Sequence, residues 1–149
     1  MNAAAMYPVQ NVAAAIACRG DRVLVTRRAP GQKMAGLWEF PGGKLEPGET
    51  PQTCIVREIA EELSVDCTAG GILMEHRHTY SGGAINLIAV IVTLTSDGFR
   101  LSVHDDARWV PASDLLSLEL APADIPVARR LRDLFKRGAL QPSASARMS

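Results

Sequence analysis

Glu58, Glu61 and Glu62 sit within five positions of one another. On a helix turning ~100° per residue, Glu61 and Glu62 fall about 60° to one side and about 40° to the other side of Glu58, so three carboxylates share one narrow arc. Like charges packed so closely need a counter-charge. Mg²⁺ or Mn²⁺, which prefer hard oxygen ligands, are the natural candidates. Ahead of the three acids runs Gly42-Gly43-Lys44-Leu45-Glu46-Pro47-Gly48-Glu49. Glycines here let the main chain approach a metal or a phosphate, because no side chain stands in the way. Glu49 can face Arg57 or join the acidic cluster.

The elements that must hold these residues are legible nearby. Thr50 suits a helix N-cap, and Pro51 fits the first helical position, where a missing N–H costs nothing. Ile55, Val56, Ile59 and Leu63 fall on the arc away from Glu58 and are expected to dock the helix on a sheet. Residues 12–18 and 22–27 read as a hairpin turning at Arg19-Gly20-Asp21, and residues 38–40 as a short third strand. A second hairpin spans 71–78 and 84–95 around Ser81-Gly82-Gly83, with a further strand at 107–110. Residues 114–118 suggest a short helix, and 125–137 a longer one ending at Gly138. Helices set among hairpins and isolated strands give an α/β class of the α+β kind, a mixed sheet sandwiched between helices. The regular alternation of a Rossmann domain is absent.

The 149 residues, 47% hydrophobic and 21% charged, fit one soluble domain over 1–149 with loose ends at about 1–8 and 141–149. Sixteen basic residues balance sixteen acidic ones, so no overall field draws the chain to nucleic acid or to anionic lipid. Cys18, Cys54 and Cys67 show no paired metal-ligand spacing and read as buried apolar groups of a reduced, cytoplasmic protein. The longest apolar run, 84–94, is too short to cross a bilayer, and no basic segment precedes the apolar N-terminal stretch. A nucleic-acid or membrane partner is therefore not expected. Composition leaves monomer and homodimer open.

The string Gly43, Glu49, Arg57-Glu58-Ile59, Glu61-Glu62, Ser64-Val65 resembles the signature of the Nudix hydrolases, and matches it everywhere except Ser64, where the family has glycine. That glycine would take a left-handed conformation, so serine should cost about 1 kcal/mol. The resemblance implies an α/β/α sandwich of the Nudix type and a metal-dependent hydrolase. It implies that Glu58, Glu61 and Glu62 bind Mg²⁺ or Mn²⁺ with a carbonyl of Gly42 or Gly43. Glu58 would also orient or deprotonate the attacking water, Glu61 would share in catalysis, and Arg57 would hold the carboxylates.

Over residues 12–134 the chain is similar to the MutT-like branch. Thr26-Arg27-Arg28-Ala29, the stretch from Gly36 through Trp38 and Phe40 to Lys44, and Leu120 to Pro126 look most like its CTP and 5-substituted cytidine triphosphate pyrophosphohydrolases. The implied substrate is a nucleoside triphosphate cut to monophosphate and pyrophosphate. Arg28 and Lys33 would contact phosphates, Tyr80 would stack on the base, and Asp124 would read it. An ionised aspartate only accepts hydrogen bonds, which suits cytosine N4; otherwise Asp124 merely caps the last helix. His76 and His78 read as ordinary surface or core residues. A family glutamate that supplies a further ligand or base is Val103 here; either Asp105 or Asp106 substitutes for it, or the three helix glutamates and Glu49 suffice without it. The alternatives are an 8-oxo-dGTP diphosphatase, a hydrolase of another nucleoside diphosphate derivative, and a silent Nudix-like binding domain.

Overall fold

Alternating apolar residues along the first strands commit their two faces to two different cores. In the computed structural model, which describes residues 9–138, β1 (Val9–Arg19) turns tightly into β2 (Arg22–Arg28). The expected loose ends at 1–8 and 141–149 both lie outside the described residues. Next come β3 (Trp38–Glu39), β4 (Gly42–Lys44) and helix α1 (Pro51–Leu63). β5 (Cys67–Tyr80), β6 (Gly83–Leu94) and β7 (His104–Pro111) follow, then a 3₁₀ turn at Ala112–Ser117. A second 3₁₀ turn at Pro122–Asp124 leads directly into α2 (Ile125–Lys136).

The sheet is mixed, as expected. β1 pairs parallel with β6 along nearly its whole length, from Val9↔Ala84 to Ala17↔Val92, while β5 pairs antiparallel with β6. On its other edge β1 pairs first with β4 at Val12–Ala14 and then, past a divergence, with β2 at Cys18 and Arg19. β2 in turn carries β7 and β3. β1 is thus the strand from which both the glycine loop and the β2 layer depart.

Ala13, Ala15, Ala17 and Leu24 face α1 and pack with Cys54, Ile55, Ile59 and Leu63. Ala14, Ile16, Val23 and Val25 face the other way, onto Val127, Ala128 and Leu131 of α2. Period-2 alternation therefore builds an α/β/α sandwich with a core on each side. The alanines of β1 let α1 lie close, which brings its acidic arc to the glycine loop. Val56 departs from expectation: it is 37% exposed, because its angle carries it past the edge of the docking face. Cys18 departs too, being at the surface, whereas Cys54 and Cys67 are buried and all three are free thiols. None of the described helices is long and apolar enough to cross a membrane.

Candidate active site

Arg57 is the hub of the acidic helix. Its Nε and Nη2 donate to the two oxygens of Glu49 at 2.7 and 2.8 Å, a bidentate pair, and Nη2 also donates to the Lys44 carbonyl at 3.2 Å. Nη1 reaches Glu58 Oε1 at 2.7 Å and Glu61 more loosely at 3.4 Å. Those bonds to Arg57 are the main reason the Glu49 carboxyl is drawn down to about 2. One planar guanidinium thus ties loop to helix. Thr50 and Thr53 exchange reciprocal capping bonds at the helix start, so the loop meets α1 at a fixed angle.

Glu58 and Glu62 meet the glycine pair differently. A Cβ on Gly42 would strike the Ala13 carbonyl, so only glycine fits there, while one on Gly43 would lie 2.5 Å from the Glu58 carboxyl and push it aside. The Gly42 N–H donates to Glu62 Oε1 at 3.1 Å, and the Cys54 thiol approaches the Gly43 carbonyl at 3.5 Å. Glu62 is only 8% exposed. Burial first, then the charges of Glu39 and Glu58, push its carboxyl up to about 8. Glu61, by contrast, is solvated, its side chain 59% exposed.

A cavity of about 420 Å³ opens beside Glu62's partner Gly42. Lys33, Met34, Glu39, Phe40, His78, Tyr80 and Asp124 line it, with Lys44 at one edge. The structure brings Lys33, Tyr80 and Asp124 to one pocket. Tyr80 is half exposed and its ring stacks on His78 at 6.5 Å between centroids. Arg28 is placed differently: Nε donates to the Lys33 carbonyl at 3.0 Å and Nη1 reaches Glu39 Oε2 at 3.5 Å. In this arrangement it braces the loop that carries Lys33.

Asp124 makes no capping bond to α2 although it occupies the cap position. It is 5% exposed; its carboxyl accepts from the Phe40 N–H, and burial, reinforced by Glu39, raises its pKa well above the ordinary range. The capping role is therefore not seen. Burial disfavours the ionised, acceptor-only form of Asp124 that the base-reading role invokes, and the protonated form would both donate and accept.

The match to known proteins decides the family. The NUDIX domain model covers residues 8–131. The chain belongs to the Nudix family. It is 38% identical over 116 residues to the CTP pyrophosphohydrolase of Escherichia coli (strain K12), covering 78% of this chain and 86% of that protein. It is 37% identical over 84 residues to an 8-oxo-dGTP diphosphatase of Proteus vulgaris, covering 56% and 75%. Among solved structures, the solution structure of the E. coli ORF135 protein superposes with a TM-score of 0.79 at 34% identity, over 92% of this chain and 96% of that one. The chain is accordingly a Nudix hydrolase, an enzyme class acting on phosphoric anhydrides.

Two departures from the Nudix pattern have structural answers. Ser64 does adopt the left-handed conformation, φ 59° and ψ 34°, and its hydroxyl donates to the Arg100 carbonyl at 3.3 Å. Near Val103, Asp105 pairs with Arg27 at 2.8 Å and Asp106 with Arg108 at 2.9 Å; neither bonds to the helix carboxylates. His104 turns inward instead. Its Nε2 lies 2.8 Å from Glu39 Oε2. A bulge at this point, where Arg27 pairs with Asp106 but Arg28 with His104, gives β7 one extra residue and re-aims its side chains.

Glu39, Phe40 and His78 line the pocket without a role assigned from the sequence, and His104, buried behind Glu39, was not assigned one either. For Glu39 a signal existed: it is the one charge between Trp38 and Phe40, both core residues, so strand alternation sets it on the other face.

Proposed function

We propose that the chain is a divalent-metal-dependent nucleoside triphosphate pyrophosphohydrolase acting on CTP, dCTP or modified cytidine nucleotides, and releasing monophosphate and pyrophosphate. The observation that carries this reading is the junction of the two features: a cavity of about 420 Å³, with buried Asp124 in its wall, runs past Gly42, whose N–H meets Glu62. The substrate class named for the E. coli CTP pyrophosphohydrolase supports the cytidine choice. A cytoplasmic setting, where such nucleotides circulate, belongs to the same proposal.

The donor chemistry fits Mg²⁺ or Mn²⁺. All candidate ligands are oxygens, and buried Glu62, pushed up to about 8 mainly by desolvation, is a carboxylate in want of a cation. As placed, no three carboxylate, histidine or cysteine groups among the described residues converge as a metal site, since Arg57 engages Glu58 and Glu61 while Glu62 turns to Gly42. Glu58, Glu61 and Glu62, with a carbonyl of Gly42 or Gly43, would hold the metal, with Glu58 and Glu61 giving up part of their bonding to Arg57. The metal supplies charge neutralisation at the phosphates and acidification of water.

The chain's own residues do the positioning, on which substitution at phosphorus chiefly depends. Lys33 offers a cation at the pocket wall, and Arg28 either braces its loop or swings to the phosphates. Tyr80 offers its ring to the base, and Asp124 hydrogen-bonds the base edge. Glu58, against Gly43, is the group set to orient or deprotonate the attacking water near the β-phosphorus, with Glu61 beside it and Arg57 holding both.

A second reading has its own support. Burial favours the protonated form of Asp124, which would donate to a purine carbonyl, and an 8-oxo-dGTP diphosphatase is among the relatives. Pyrophosphate release with Mg²⁺ from CTP, dCTP, 5-methyl-dCTP, dGTP and 8-oxo-dGTP tests both. The highest kcat/KM is expected for a cytidine nucleotide, and a kcat loss of about 10²–10⁴-fold for Glu58→Gln. No turnover of the panel would sink the proposal and favour a silent binding domain.

A further inference from the structure

Glu39 stands where neither the family signature nor the base pocket assigns a role. It lines the cavity. It shares that cavity with Asp124 at the proposed base end and with Gly42, whose N–H meets Glu62, at the proposed phosphate end.

The Glu39 carboxyl is also fixed. His104 Nε2, at 2.8 Å, and Arg28 Nη1, at 3.5 Å, both meet Oε2, and among the described residues no donor meets Oε1. His104 is fully buried, and its Nδ1 has no partner. A buried polar atom left unsatisfied carries a cost that calls for a reason, and orienting Glu39 supplies one. The ring of Trp38, next in the chain, lies between the guanidinium groups of Arg27 and Arg108 at 5.4 and 5.1 Å, which steadies β3.

We infer that Glu39 is a substrate-contact residue whose Oε1 accepts a hydrogen bond from a pentose hydroxyl of the nucleotide, and that His104 is the positioning residue holding it there. Between base and phosphate the only hydrogen-bond donors a nucleotide offers are its 2′ and 3′ hydroxyls. A carboxylate, which only accepts, matches them. The inference rests on the nucleotide reading above, though not on which base is preferred.

The test is calorimetric binding of CMP, dCMP and 2′,3′-dideoxy-CMP, with kcat and KM for the three triphosphates. Wild type should bind CMP about 10–100-fold more tightly than the dideoxy form, the range for a hydrogen bond to a charged group. Glu39→Ala should lose that margin, weakening CMP while leaving dideoxy-CMP within about twofold. If dCMP follows CMP the contact is to the 3′ hydroxyl, and if it follows the dideoxy form, to the 2′ hydroxyl. His104→Leu should reproduce the loss of discrimination, and His104→Gln, which can still donate to Glu39, should restore part of it. Equal weakening of all three ligands by Glu39→Ala would overturn the contact even with turnover intact. A wild-type protein that discriminates the sugars yet hydrolyses no triphosphate would overturn the proposed reaction and leave the contact standing.

Discussion

Arg57 concentrates the electrostatics of this site in one residue. Its fork takes Glu49 with two bonds and Glu58 with a third, and no ammonium can copy that geometry. Arg57→Lys should therefore keep the fold, as judged by an unchanged circular dichroism spectrum, while kcat falls about 10–100-fold as Glu58 loses its bearing. A kcat within about twofold of wild type would remove Arg57 from its positioning role. The pairing with Glu49 was one of two readings the sequence offered, because Glu49 lies just ahead of the helix that carries Arg57. Glu39 and His104 were not: 65 positions separate them, and the bulge that turns His104 inward is invisible to any count of alternating residues. Asp124 shows a further limit, since its place could be read but its protonation depends on burial that only the fold supplies.

At the scale of elements, helix α1 is specified at both ends by local chemistry. Thr50, Thr53 and Pro51 fix its start, all readable from residue type. Its end is less favourable, because Ser64 occupies a left-handed conformation that glycine adopts without a Cβ penalty. Ser64→Gly should stabilise the protein by up to about 1 kcal/mol in denaturant titration, offset in part by the lost bond to the Arg100 carbonyl. Turnover should stay unchanged, since the Glu61 and Glu62 side chains do not depend on the Ser64 hydroxyl. Destabilisation by Ser64→Gly would mean that the hydroxyl bond outweighs the backbone strain. The strand boundaries were harder to read than the helix. β7 begins at His104 rather than at 107, and β4 pairs Gly42 and Gly43 with β1. Those limits come from partner strands distant in sequence, and β-propensity carries little information about glycine.

For the whole molecule, burying carboxylates beside the acidic arc proposed to hold the metal should make stability depend on pH and on metal together. Glu62 has an ordinary carboxylate pKa when unfolded and about 8 when folded, and Asp124 shifts in the same direction. Groups raised in this way stabilise the fold below their unfolded pKa, and that contribution is lost as pH rises through the folded value. Glu49, drawn down to about 2 by Arg57, behaves oppositely, its contribution being lost only as pH falls from about 4.5 towards 2. In chelator, the melting midpoint should therefore fall between pH 6 and pH 9, by at least about 5 °C if Glu62 dominates. Glu62→Gln, which carries no charge at either pH, should flatten most of that slope. Mg²⁺ binds only where the carboxylate is ionised, so it should raise the midpoint more at pH 8.5 than at pH 6 and offset the loss. A midpoint in chelator that is level across this range would show that Glu62 is already ionised at neutral pH, with solvent or a cation reaching it more freely than its burial allows.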